Sequence, residues 1–300
     1  MTMPTPSHDE DDDKDDSMTN TAPNPTSLLT DYSLEMTGKD VDDLRAAAPN
    51  IPPGTRVNVT FLGNENLAMR VEAARAVLEE GFVPVPHISA RRLTSRAEFE
   101  EFLTALREVG ASENVFAVGG DPSEPAGPYS DSEAVIRSGL LPEYGVRHVS
   151  IAGYPEGHPD IPDDVLWDAL RGKADSLRKQ GLSGTILTQF SFDEAPVLEW
   201  IEKVRQEGID LPIRVGVPGP AGVKRLIGFA RRFGIGANAM IVKKYGFSLA
   251  NLVGTAGPDK LIAALSAGLD PERHGDVRLH FYTFGGLSAT AEWIRKNQAR

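Results

Sequence analysis

The stretch Ile151–Asp160 reads IAGYPEGHPD, and it sets a phenol (Tyr154) just before one proline and a carboxyl (Glu156) and an imidazole (His158) between that proline and the next. All three side chains can hold or pass a proton, and the prolines stiffen the loop that carries them. Groups of the same kind recur at intervals along the chain. Glu35 stands in SLEM, Thr60 in VNVTF, His87 in VPVPHIS and Asp121 behind two glycines in VGGDP. Thr188 and Gln189 stand in TQFSFD, and Tyr282 and Thr283 in LHFYTF.

Each of these residues allows two readings. Glu35 is either a solvated strand-end carboxylate or, in an apolar pocket that raises its pKa, a general acid. His87 is either a structural imidazole held by the neighbouring prolines or a hydrogen-bond donor to a ligand. Gly119 and Gly120 permit a ligand to approach the backbone closely, with the Asp121 carboxylate beside it; the plainer reading is an Asp-Pro turn. Other chemistries are excluded more firmly. The chain has no cysteine and its 6 histidines show no HExxH spacing, which argues against a thiolate nucleophile or a catalytic zinc. No Walker loop, no GxGxxG fingerprint and no GxSxG elbow is present. Helical faces such as VLEWIEKV read as packing surfaces rather than cofactor boxes.

Residues spread over most of the chain need a scaffold that gathers them. Short apolar runs predict strands at Tyr32–Met36, Arg56–Phe61, Phe82–Ile88, Asn114–Val118, His148–Ala152, Thr185–Gln189, Ile213–Val217 and His280–Phe284. Between them lie helical patterns such as NLAMRVEAARAVLEEG and SRAEFEEFLTALREVG, each closed by the glycine expected after a helix. Strand–helix alternation implies parallel pairing, and eight such units fit a (β/α)8 barrel better than a doubly wound sheet. The long interval Gly234–Leu269 predicts extra helices between the seventh and eighth strands. In such a barrel the carboxyl ends of all strands open on one face, so the scattered polar residues would converge there.

Composition narrows the class. The net charge of −12 is uneven, because seven acids and one lysine fall within His8–Ser17. Residues 1–27 carry little to bury and are expected to form a disordered acidic tail; the acid run resembles an enteropeptidase-type tag. Residues 28–300 are expected to form one catalytic domain. No basic stripe points to nucleic acid, and no run is long and apolar enough for a membrane span or a signal peptide. A cytoplasmic enzyme without resident metal is the expectation.

Taken together and in order, SLEM, VNVTF, VPHIS, GGDP, AGYPEGHP, TQFSFD and LHFYTF resemble the catalytic domain of the methylenetetrahydrofolate reductase family. The resemblance runs from about Tyr32 to Thr290, and AGYPEGHP and TQFSFD are its most specific parts. It implies a (β/α)8 barrel that holds FAD at its mouth. That barrel interconverts 5,10-methylenetetrahydrofolate and 5-methyltetrahydrofolate, with NADH or NADPH as the hydride source. It implies that Glu35 helps to protonate the folate as its ring opens, and that Asp121 tunes pterin and flavin. Gln189 would contact the pterin and Phe284 would border the nicotinamide or folate. Thr60, His87, Gly120, Asp121, Tyr129, Ala152, Tyr154, Glu156, His158 and Lys173 would contact FAD. A short form like the bacterial members is implied, with room for a homo-oligomer.

The chain also departs from the pattern. Gly119 stands where the family commonly has an arginine, and Gly172 where a charged residue precedes the helical lysine. Gly285-Gly286 follows HFYTF where a polar or basic residue is common. Both losses near the FAD phosphates keep open a flavin-independent hydride transfer from nicotinamide to folate. A barrel that binds folate or flavin without turnover is the reading from another class.

Overall fold

The computed structural model describes residues 28–232 and 255–299. The barrel strands, in chain order, begin with β1 (Tyr32–Met36), β2 (Arg56–Val59), β3 (Val83–Ser89) and β4 (Asn114–Val118). They continue with β5 (His148–Gly153), β6 (Ser183–Phe190) and β7 (Ile213–Pro218). A two-stranded antiparallel pair, β8 (Ala221–Gly222) with β9 (Thr255–Ala256), precedes the last barrel strand, β10 (Val277–Tyr282). The eight barrel strands are parallel and close on themselves, β1 pairing with both β2 and β10. The expected (β/α)8 architecture is therefore the one observed.

The helices are α1 (Val41–Ala47), α2 (Leu67–Glu79), α3 (Arg96–Glu108), α4 (Ser132–Arg137), α5 (Leu140–Glu143) and α6 (Asp163–Lys179). After them come α7 (Glu194–Gln206), α8 (Val223–Arg232), α9 (Asp259–Gly268), α10 (Pro271–His274) and α11 (Leu287–Gln298). Local chemistry sets their ends. Asn66 accepts a hydrogen bond from the Met69 N–H at 2.9 Å and Ser95 one from the Glu98 N–H at 3.1 Å, each satisfying a donor that the helix leaves orphaned. Gly81 and Gly110, with φ of 80° and 77°, turn the chain out of α2 and α3 in a conformation other residues avoid.

Apolar packing lies mainly outside the sheet. Alternate strand residues such as Leu34, Val57, Ile88, Val115, Ile151, Ile186, Val215 and Phe281 are buried against the helices. A much smaller cluster forms from the other strand face, Val85, Phe116 and Leu187, with Val118, Ala152 and Tyr282 beside it. Ser33, Asn58, Ser150, Thr185, Arg214 and His280 occupy positions of that same alternation and are also buried, so the inner column is largely polar.

Three details differ from the sequence expectations. The last strand is Val277–Tyr282 rather than His280–Phe284, because Phe284 already belongs to a turn whose N–H reaches back to Tyr282 O at 2.8 Å. Between β4 and β5 stand α4 and α5, where the sequence pattern predicts no helix; at 6 and 4 residues neither is long enough to show a period. Between the seventh and eighth barrel strands stand α8, the helix that the strand–helix alternation itself requires, and two extra helices, α9 and α10. The remainder of that interval, 233–254, and the acidic tail, 1–27, lie outside the described residues.

Candidate active site

Two-residue alternation along a strand turns Ser33 and Glu35 of β1 to one face, and His280 and Tyr282 of β10 to the face beside it. Ser33 pairs with His280 in the register between these strands. The Ser33 hydroxyl lies 2.9 Å from His280 Nδ1, while His280 Nε2 lies 3.8 Å from the Glu35 carboxylate. His280 is wholly buried, and its Nε2 makes no hydrogen bond. Burial lowers its pKa, and the Glu35 carboxylate opposes that shift. The Glu35 side chain keeps 20% of its exposure, so it sits at the edge of the polar column rather than in the apolar pocket expected from sequence.

His87, on β3, is buried against Phe116, whose ring meets it edge-on at 4.7 Å. Its Nε2 lies 3.3 Å from the Asn58 amide. Desolvation pushes its pKa down to about 4, with Glu35 acting against the shift and His280 with it. The imidazole is neutral at physiological pH. The Tyr282 phenol donates to Thr188 O at 3.1 Å, and burial, then the charge of Glu35, raises its pKa well above the ordinary value.

The loop after β5 answers why three functional groups crowd there. Tyr154 is held edge-on to His158 at 5.5 Å, and burial raises its phenol pKa. Glu156 reaches across to Ser191, beyond the end of β6, whose hydroxyl donates to it at 2.5 Å. Burial raises the Glu156 pKa while that hydrogen bond opposes the rise. His158 turns inward on its own loop, its Nδ1 accepting from the Asp160 N–H at 3.2 Å. Tyr154 and Glu156 also line a cavity of about 280 Å³ walled by Leu166, Trp167, Leu170 and Trp200. Lys173 of α6 is buried and donates to Ala152 O at 3.2 Å, which ties the helix to the end of β5. Desolvation lowers its pKa to about 8, partly offset by Asp131 and Glu133.

A bulge in β6 between Leu187 and Phe190 re-aims Gln189, and the Gln189 amide oxygen accepts from the Phe190 N–H at 3.1 Å. Phe284 stacks on Phe229 at 4.0 Å and meets Phe190 edge-on at 5.0 Å, forming an aromatic wall with Tyr282.

The remaining expected residues divide. The Thr60 hydroxyl is buried without a hydrogen bond, as is that of Ser89. Gly120, with φ of 97°, lies so near Ser89 that a Cβ there would overlap its hydroxyl. Asp121, by contrast, turns outward. It accepts from the Arg92 guanidinium at 2.9 Å and its side chain is 71% exposed. Tyr129 packs edge-on to Phe99 of α3 at 5.4 Å, within the main apolar core. Glu35, His87, Tyr282, Thr188 and the β5 loop are thus gathered at the strand ends; Asp121 also stands just past the end of β4 but turns to Arg92, and Tyr129 packs in the apolar core. Sequence reasoning misses Ser33, His280, Arg92 and Ser191, although Ser33 and Glu35 share a strand face and LHFY already places His280 beside Tyr282. Among the described residues no three histidine or acidic side chains are grouped to hold a metal, and no helix is long and apolar enough to cross a membrane.

A closed parallel barrel with its titratable groups at the carboxyl ends of its strands defines the (β/α)8 class in which enzyme sites are built on that face. Within that class the chain belongs to the methylenetetrahydrofolate reductase family, whose model matches residues 44–294. "Methylenetetrahydrofolate reductase 2" of Saccharomyces cerevisiae is 30% identical over 131 residues, 40% of this chain and 20% of that protein. "5,10-methylenetetrahydrofolate reductase" of Salmonella typhimurium is 26% identical over 238 residues, 76% of this chain and 75% of that protein. The chain thus spans 20% of the Saccharomyces protein, and 28% of "Methylenetetrahydrofolate reductase 1" of Schizosaccharomyces pombe. A solved dihydropteroate synthase from Thermus thermophilus superposes with a TM-score of 0.48 at 16% identity, over 90% of this chain and 94% of that one.

Proposed function

We propose that this chain interconverts 5,10-methylenetetrahydrofolate and 5-methyltetrahydrofolate, with hydride drawn from NADH or NADPH. One observation carries the reading: a partly buried carboxyl, Glu35, faces a fully buried imidazole, His280, at the strand ends of a barrel of this family. The reaction needs such a group. A proton from Glu35 to the departing ring nitrogen opens the five-membered ring and leaves an iminium carbon, to which hydride then adds. The aromatic wall of Tyr282, Phe284 and Phe190 offers a flat apolar surface for the pterin or nicotinamide, and neutral His87 supplies polar contact without charge. The same groups serve the reverse oxidation.

The FAD implied by the resemblance meets two different environments. Thr60 and Ser89, with unpartnered hydroxyls, suit a polar ring system near the mouth. Its diphosphate would find Lys173 with Asp131 and Glu133 beside it, no charge at Gly119 or Gly172, and Arg92 already engaged by Asp121. These residues do not fit a tightly held dinucleotide diphosphate, and no step is routed through one. The reading favoured by Glu133 is direct hydride transfer from nicotinamide to folate.

Anaerobic turnover with methylenetetrahydrofolate, FAD and each nicotinamide supplied or omitted separately, tests both readings. Turnover without FAD by a colourless protein supports the direct route, and a yellow protein that needs FAD refutes it. Absence of turnover under every combination refutes the reductase reading. Full activity of a Glu35→Gln variant refutes the role given to Glu35.

A further inference from the structure

His280 is the most deeply placed titratable group at the mouth, and the reaction outlined above makes no use of it. It is 0% exposed, yet its Nε2 has no hydrogen-bond partner among the described residues. A buried ring N–H left unpaired is costly, so a position that keeps one calls for an explanation. The nearest acceptor is Glu35 at 3.8 Å, just beyond hydrogen-bond reach. The other ring nitrogen is fixed by Ser33 on the neighbouring strand at 2.9 Å. Among the described residues the Ser33 hydroxyl has no competing partner, so it is free to donate to Nδ1. That choice leaves the proton on Nε2, facing Glu35.

We propose that His280, oriented by Ser33, is a positioning residue for Glu35: its Nε2–H closes onto the carboxylate when Glu35 has given up its proton, and withdraws when the proton returns. This rests on the reductase reading for the identity of the proton's acceptor, but not for the geometry. The proton balance is simple. Glu35 loses one proton to substrate and regains it from solvent, while His280 stays neutral and keeps its own. The charged and titratable groups facing His280 are Glu35 from β1, Tyr282 edge-on at 4.9 Å from β10, His87 from β3 and Arg214 from β7. Arg214 opposes a proton on the imidazole, Glu35 alone favours one, and burial works against charge. A neutral donor is the form these surroundings maintain.

The consequence can be measured. Donation to the carboxylate favours the ionised form of Glu35, and removing the donor takes that support away. Because a general acid must be protonated to act, the alkaline fall in turnover should move to higher pH in His280→Ala. Its kcat should drop roughly tenfold or more, a part of the 10²–10⁴ that a placed acid contributes. KM should hold. His280→Gln, which keeps an N–H in nearly the same place, should recover much of the loss, and Ser33→Ala should shift the profile the same way by less. A His280→Ala profile superposable on the parent overturns the proposal, as does failure of His280→Gln to rescue. Should His280→Ala fail to fold, Ser33→Ala carries the same test. Nitrogen-15 NMR of the folded full-length protein separates this inference from the reductase reading. A His280 resonance carrying its proton on Nδ1 overturns the proposal whatever the substrate, whereas absence of folate turnover with Nε2–H observed overturns only the reductase reading.

Discussion

Gly172 and Glu133 approach so closely that a Cβ on residue 172 would stand 2.5 Å from the Glu133 carboxylate oxygen. An acid thus fills the space beside Lys173 that a basic side chain would need. At Gly119, by contrast, a Cβ would meet nothing within 4 Å. Adding a cation where there is room for one and removing the acid beside Lys173 should favour a diphosphate. The double variant Gly119→Arg/Glu133→Gln is expected to bind FAD at least about tenfold more tightly than the parent, which corresponds to roughly 1.4 kcal/mol. Quenching of flavin fluorescence measures it, and equal affinities would remove the electrostatic account of the site.

Glu35 and Asp121 should separate in their effects. The first faces the inner column and the second is drawn outward by Arg92. Glu35→Gln is expected to lower kcat by about 10²-fold or more, and Asp121→Asn by less than that. Parallel steady-state kinetics decide the order, and a larger loss in Asp121→Asn reverses the assignment.

Acid should loosen the fold through His87. Its pKa falls from 6.5 to about 4 on folding, so between those values the unfolded chain binds the extra proton. Stability is complete above about pH 6.5 and declines as pH drops toward 4, by at most about 3 kcal/mol from this residue. Urea titrations over that range should show a steeper acid loss in the parent than in His87→Asn. Identical slopes would mean that the imidazole is not buried in its neutral form.

Gly120→Ala should be costly on two counts, the positive φ and the overlap with the Ser89 hydroxyl. A loss of about 1–3 kcal/mol is expected. Adding Ser89→Ala, whose Cβ lies 3.5 Å away, should return only the steric part. Thermal melts of the three proteins check it; full recovery in the double variant would show that φ contributes nothing.

Strand placement was legible because each barrel strand is a short apolar run ended by a turn and followed by a helical period. β1 and β4 match their expected limits residue for residue. The short α4 escaped because six residues cannot display a period, even though Asp131 caps it through the Ala134 N–H at 2.8 Å. Site legibility followed the same physics. Glu35 and His87 stand on regular strands, where alternation fixes the direction of a side chain. Asp121 stands in a loop, and its direction was decided by Arg92, a partner 29 positions away that no local pattern reveals. His280 was hidden for the opposite reason: its meaning comes from the cross-strand register with Ser33, which exists only after closure.

The polar inner column has a consequence for how this protein can change. Nearly all the oily contact that holds strands to helices lies on the far side of the sheet from Ser33, Asn58, Ser150 and His280. The reactive lining and the supporting shell are thus separate layers of one wall. Drift in donor, reactant or direction of flow can proceed on one side of that wall while the other goes on holding the ring closed.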